Sequence, residues 1–114
     1  MTLTVYHLKT CDTCRKAIKA LQAAGQNLVL VDVRADGVPE ADLARLANSI
    51  GWEKLLNTRS TTWRGLSDDE KSGMVQDKAL KLMGKHPTLI KRPVIDTGTN
   101  VLVGWKADVQ DMLL

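Results

Sequence analysis

Only two cysteines occur among the 114 residues, and that scarcity excludes a disulfide-rich secreted scaffold. No apolar run reaches the roughly 18 residues that a membrane span requires. The N-terminus, MTLTVYHLKT, lacks the charged-then-apolar layout of a secretory signal. An excess of one charge is missing too: sixteen Lys and Arg against thirteen Asp and Glu leave +3, too mild to imply nucleic-acid binding. There is no internal repeat, low-complexity tract or long linker. What remains is a chain 44% hydrophobic and 25% charged, the composition of a globular domain that buries about two-thirds of its unfolded surface without covalent staples. We therefore expect one domain over residues 1–114, a monomer in the reducing cytoplasm with no membrane or nucleic-acid partner. In that compartment a close cysteine pair is reactive or metal-binding rather than structural.

The apolar pattern sets out the elements. Leu3–Leu8 (LTVYHL) alternates as a short strand does. Ala17, Ile18, Leu21 and Ala24 follow helical spacing from Cys14, and Gly25 supplies a stop. Leu28–Val33 (LVLVDV) is almost continuously apolar, which predicts a strand covered on both faces. Strand, helix and strand make a βαβ unit. Pro39 opens a second helix carrying Leu43, Leu46, Ala47 and Ile50 on one face. A helical turn is expected at Trp52–Leu56, followed by a polar loop to Gly65. Ser67 and Glu70 have capping-box spacing. Val75, Ala79, Leu82 and Met83 mark a further helix ending at Gly84. Val94–Asp96 and Val101–Val103 flank Thr97-Gly98-Thr99-Asn100 as a hairpin. A last helix from Ala107 should turn Met112 and Leu113 inward. The order βαβ, helical insert, ββα reads as an α/β sandwich, best fitted by a thioredoxin-like fold with a mixed four-stranded sheet.

Cys11-Asp12-Thr13-Cys14 is the most informative string, because it lies between strand and helix in a βαβ unit. A thiolate is the nucleophile, and a free thiol with a pKa of about 8.5 is mostly protonated at neutral pH. The unpaired N–H groups and dipole of a helix N-terminus favour the anion. Cys11 sits before the first turn and is assigned as nucleophile. Cys14, inside that turn, is the candidate resolving thiol that would attack a mixed disulfide on Cys11; the competing reading makes it a small core residue. Arg15 and Lys16 add positive charge nearby. No metal is expected, since His7 and His86 lack the paired spacing of a zinc site. His7 reads as a packed or surface histidine.

Arg92-Pro93 precedes an apolar strand. In a thioredoxin-like fold such a proline is commonly cis and faces the cysteine, which would set Arg92 beside Cys11 to pair with an anion through its planar fork. An ordinary trans proline at an edge strand is the alternative. The string Asn57–Arg64 (NTRSTTWR) mixes hydroxyls, two arginines and a tryptophan, and either binds an oxyanion or connects two elements. Thr10, Asp12, Thr13, Arg59 and Pro93 are accordingly the candidate substrate- or anion-binding positions.

With TCDTCRKA after the first strand, LLNTRSTTWRGL, HPTLIKRPVID and VLVGWK, the chain resembles the arsenate reductase (ArsC)/Spx/YffB family nearly end to end. The YffB-like branch is most similar, through NTRSTTWR and VGWK. The resemblance implies a thioredoxin-like fold of ArsC type and a glutathione-linked thiol oxidoreductase with no bound cofactor. Glutathione would be co-substrate, a small oxyanion an alternative ligand, and glutaredoxin a further partner. By position, Cys11 would be the nucleophile and Arg92 the arginine of the RP motif, with Arg59 a loop contributor. Trp105 and Lys106 stand where arsenate reductases carry a third arginine, which counts against efficient arsenate reduction. The Spx branch implies another class, a redox-sensing transcriptional regulator that binds RNA polymerase and uses Cys11 and Cys14 as its switch.

Overall fold

In the computed structural model, which describes residues 2–114, the chain begins in strand β1, Thr2–His7, and passes through a four-residue loop into helix α1, Asp12–Ala23. Apolar residues three and four apart give α1 one buried stripe of Cys14, Ala17 and Leu21. The helix stops in a Schellman arrangement. The Gly25 N–H donates to the Gln22 carbonyl at 3.0 Å and the Gln26 N–H to that of Leu21 at 3.1 Å. Gly25 takes φ +80°, a conformation that a side chain would strain. Strand β2, Asn27–Asp32, then runs parallel to β1, from Thr2↔Asn27 to His7↔Asp32.

The insert is built of helices joined by short loops, with one isolated β-bridge. It comprises α2, Glu40–Ile50; α3, Trp52–Leu55; α4, Thr61–Arg64; α5, Asp68–Lys71; and α6, Gln76–Lys85, followed by a 3-10 turn at Pro87–Leu89. Helix α2 buries Leu43, Leu46 and Ala47, and α6 buries Ala79, Leu80, Leu82 and Met83. Those stripes pack together, Gly84 lying over Leu43. Ser67 and Glu70 form the expected capping box, with the Glu70 N–H donating to the Ser67 hydroxyl at 3.2 Å. Leu56 and Ile90 form an isolated antiparallel bridge. It is flanked by bonds from the Asn57 N–H to the Leu89 carbonyl (2.7 Å) and from the Lys91 N–H to the Leu55 carbonyl (2.8 Å).

Strands β3, Val94–Asp96, and β4, Val101–Val103, form the expected hairpin, and α7, Ala107–Leu113, follows. β3 pairs antiparallel with β1 on the side away from β2, giving the sheet order β2-β1-β3-β4. Leu3, Val5 and Ile95 share one face of the sheet and join Leu21 of α1 with Val109 and Leu113 of α7 in one core, flanked by Ile18, Leu28, Leu102 and Trp105. The architecture is the anticipated one, α/β with a mixed four-stranded sheet of thioredoxin-like type. By contact the chain divides into two compact units, Met1–Asp36 with Arg92–Leu114, and Gly37–Lys91. No helix among the described residues is long and apolar enough to cross a membrane.

Several local expectations are corrected. β2 is an edge strand rather than one covered on both faces: Val29 and Leu30 are 48% and 43% exposed, because only β1 neighbours it. The polar loop before Gly65 contains α4, which starts because the Ser60 hydroxyl accepts the Trp63 N–H at 3.1 Å. Helix α6 continues one residue past Gly84, and Val75 is its exposed N-cap rather than a core position. Met112 is 62% exposed, and Val109 takes the inward place beside Leu113. Leu21→Ala should therefore cost about 2–5 kcal/mol of unfolding free energy, as cavities in packed cores do. Met112→Ala should stay within about 0.5 kcal/mol of the parent, as surface changes do. Urea unfolding of both variants checks this.

Candidate functional site

Cys11 holds the N-cap position of α1, with extended dihedrals of φ −89° and ψ 115°. Its N–H donates to the Leu8 carbonyl at 2.9 Å, and its own carbonyl accepts the Arg15 N–H at 3.1 Å. The loop thus closes as one turn and leads directly into the helix. A helix start leaves its first amides without intrahelical partners, and they usually take an Asp or Ser oxygen at the N-cap. Here a cysteine stands in that place, and of the first amides it is the Cys14 N–H that acts on its sulfur.

The environments of the two thiols diverge. Cys11 is half-buried and Cys14 fully buried; both are free thiols. Burial opposes ionisation of Cys11. That penalty is outweighed by the Cys14 backbone N–H, by the Cys14 thiol as hydrogen-bond donor, and by the charge and N–H groups of Arg92. Cys11 therefore ionises below the ordinary thiol range. For Cys14 burial dominates, relieved in part by the Leu8 backbone and reinforced by the hydrogen bond and charge of the Cys11 sulfur, so its pKa is pushed up to about 12. One thiol is arranged as an anion and the other as its proton-bearing neighbour.

Arg92 comes from the far side of the sheet's centre, immediately before β3. The Arg92-Pro93 peptide is cis. Pro93 is buried, and its carbonyl accepts the Gly104 N–H at 2.8 Å, so the turn after β4 fixes the entry to β3. The Nε of Arg92 is itself buried. The positive charge acting on Cys11 is Arg92's, where the sequence pointed also to Arg15 and Lys16, both of which are exposed. Arg15 is engaged elsewhere: its Nε donates to the Lys9 carbonyl at 2.8 Å and its Nη1 pairs with Asp12 at 3.3 Å.

The remaining candidates have other surroundings. Asp12 is exposed and held by Arg15, and Thr13 is exposed at the second helical position. Thr10 shares a shallow depression with Leu8, Lys9, Asp32, Arg34 and Ala35. Arg59 belongs to the other unit, exposed between α3 and α4, with its N–H donating to Asn57 Oδ1 at 3.0 Å. Within the first unit, Cys14 and Arg92 are the candidates that act on the Cys11 sulfur. Among the described residues no group of three or more His, Cys, Asp or Glu could hold a metal.

Asp32 escaped the sequence reading. It is only 5% exposed at the end of β2, beside the buried His7. Its carboxyl lies below the ordinary carboxylate range, chiefly through the Ala35 N–H, which with the Arg34 and Lys9 N–H groups and the His7 charge outweighs burial. The available signal was an acidic residue closing an apolar strand just before Arg34-Ala35-Asp36-Gly37, a place where Asp side chains bind backbone amides two and three residues on.

Comparisons with known proteins show what the chain is similar to. A family model described as "ArsC family" matches residues 6–112. An uncharacterized protein of Haemophilus influenzae is 40% identical over 103 residues, 90% of each chain. The global transcriptional regulator Spx of Bacillus subtilis is 25% identical over 93% of this chain and 82% of its own. A solved structure titled YffB superimposes with a TM-score of 0.92 at 35% identity, covering 98% of both chains.

The arrangement makes a quantitative expectation for Arg92→Gln. Losing the cation should raise the pH midpoint of Cys11 alkylation by roughly half a unit to one unit, a full unit being about 1.4 kcal/mol. Because the thiolate is the reactive form, the parent keeps reacting at acid pH until the medium falls through its lowered midpoint. The variant stops earlier. Arg15→Gln should leave the midpoint where it is. Site-resolved mass spectrometry of iodoacetamide labelling against pH measures all three.

Proposed function

The chain belongs to the ArsC family, and on that premise we propose that it is a glutathione-linked thiol–disulfide oxidoreductase with Cys11 as nucleophile. The observation that carries this reading is Cys11 at the N-cap of α1 with the Cys14 N–H and Arg92 acting on its sulfur. That environment favours the species that attacks.

In the first step the Cys11 thiolate attacks one sulfur of a disulfide. A Cys11–substrate S–S bond forms, the substrate S–S bond breaks, and the departing thiolate takes a proton from water. A glutathione thiolate then attacks the substrate sulfur, releasing a glutathione mixed disulfide and returning Cys11 as thiolate. A second glutathione thiolate attacks the glutathione sulfur of that mixed disulfide, so that glutathione disulfide forms and the second substrate thiol is set free. The features that lower the Cys11 pKa serve this step too, since a low-pKa thiol is the better leaving group. Cys14 is a poor resolving thiol here. Burial holds its pKa up at about 12, so Cys14 keeps its proton at neutral pH. Loss of the Cys11 anion in the mixed disulfide lifts two of the restraints on Cys14, yet burial, the largest, remains. An external thiol meets no such barrier.

Arsenate is the alternative substrate. Arg92 offers an oxyanion one planar fork, and each charge-assisted hydrogen bond is worth about 1.5–3 kcal/mol. Trp105 and Lys106 occupy the stretch where the resemblance points to a third arginine, which favours a disulfide over arsenate. A redox-sensing regulator is the second reading, supported by the similarity to Spx along most of both chains. It needs a Cys11–Cys14 disulfide, and a redox-dependent complex with RNA polymerase in a pull-down would select it.

Cys11→Ser should abolish glutathione-dependent reduction of a small mixed disulfide, whereas Cys14→Ala should retain most of the turnover. Coupled NADPH consumption with glutathione and glutathione reductase reads both. Turnover by Cys11→Ser at the parent rate would remove the proposal, and loss of turnover in Cys14→Ala with the fold intact would transfer the resolving step to Cys14.

A further inference from the structure

We infer that Asp32 is a positioning residue for the nucleophile, holding the Leu8–Cys11 loop against the end of β2 through the Lys9 backbone. The inference rests on the reading of Cys11 as nucleophile and adds a residue that neither the cysteine motif nor the RP motif contains.

The two oxygens of Asp32 do different work. Oδ1 accepts the Arg34 N–H at 2.9 Å and the Ala35 N–H at 2.8 Å, closing the turn after β2. That is the local habit of an aspartate at a strand end. Oδ2 reaches 23 residues back along the chain and accepts the Lys9 N–H at 3.2 Å. Lys9 stands at the middle of the loop that delivers Cys11. Its carbonyl accepts Arg15 Nε at 2.8 Å, and the carbonyl of Leu8 before it accepts the Cys11 N–H at 2.9 Å. The Leu8 backbone also acts on the Cys14 sulfur. The parallel ladder continues beyond the strands, with the Val33 N–H donating to the His7 carbonyl at 2.8 Å. It ends at His7, so beyond that carbonyl the Asp32–Lys9 bond is the tie that carries the register of β1 and β2 into the loop. An aspartate needed only for its own turn would be satisfied by Oδ1.

A neighbour supplies the control. Asp36, exposed four residues on, accepts the Asp32 N–H with its Oδ2 at 2.9 Å. It belongs to the same turn and carries the same charge, and its hydrogen bond to the Asp32 N–H stays within that turn. Asp32→Asn can keep one of its two sets of partners, because the amide replaces one acceptor by a donor. With the oxygen left on Arg34 and Ala35, the amide nitrogen meets the Lys9 N–H donor to donor, and the loop is released. Asp36→Asn removes the same charge and leaves the loop tied.

The test compares the parent, Asp32→Asn and Asp36→Asn by the pH profile of Cys11 alkylation and by hydrogen exchange of the Lys9 amide. Asp32→Asn should raise the Cys11 midpoint and slow alkylation at pH 6 by about threefold or more, a shift of about half a pKa unit. It should also expose the Lys9 amide to exchange while both variants remain folded by circular dichroism. Asp36→Asn should leave both readouts at the parent values. If the two variants shift the Cys11 midpoint equally, or neither shifts it, Asp32 serves its turn alone and the inference is overturned. Should Asp32→Asn fail to fold, Asp32→Glu replaces it, since the longer carboxylate keeps charge and acceptors but displaces the Lys9 bond; a parent-like midpoint in that variant overturns the inference as well. An ordinary thiol midpoint in the parent would instead overturn the proposed function, so the two failures are distinguishable.

Discussion

The placement of Cys11 at the N-cap of α1, where the Cys14 N–H and Arg92 act on its sulfur, is the constraint on which the site depends. A helix start has N–H groups that its own carbonyls cannot reach, and in this chain the residue at the N-cap is a cysteine. For the Cys14 amide to act on that sulfur, β1 must stop at His7, the loop must close in one turn, and α1 must keep its heading. Each requirement has its own physical cause. The loop is closed by the Cys11–Leu8 hydrogen bond, and the heading is set by Leu21, packed on Leu3, Val5 and Ile95 of the sheet with Ile18 beside it. Arg92, delivered by a strand paired with β1, adds a full positive charge beside the Cys14 amide and thiol that stabilise the thiolate.

The two cysteines show how three residues of helix separate chemical roles. One turn apart on the same helix, one faces solvent in part and the other faces the core. Burial penalises the charged form of both, but only Cys11 also receives amide, thiol and guanidinium donors sufficient to reverse the sign. A buried neutral thiol next to a half-exposed anion is then a donor that supports its neighbour. In this geometry the motif divides labour and need not be symmetric.

The strands and helices with a clear hydrophobic period were legible in the sequence. The α1 stripe, the capping box at Ser67 and Glu70, and the hairpin around Gly98 follow from spacing and turn chemistry, which act over a few residues. Errors fell where the neighbour across the fold decides. LVLVDV reads as a central strand, yet β2 lies at an edge, and its exposed Val29 and Leu30 record the missing partner. Met112 and Val109 are both apolar on a short final helix, and only the direction of that helix over Leu3 and Val5 selects Val109 for the core. Of the site, Cys11 and Arg92 were legible through motifs. Asp32 was not, because its decisive hydrogen bond spans 23 residues.

By itself the sequence determined the order of elements, the position of a thiol at a strand–helix junction, and the family to which such a chain belongs. Those properties reside in local periodicity and short motifs, which survive reading in one dimension. The tertiary structure decided which cation meets the thiolate, which cysteine keeps its proton, and which carboxylate steadies the loop between them. Each is a matter of burial and of distances across the sheet. Electrostatic free energy depends on those quantities, and they exist only once β1, β3 and α1 are packed together.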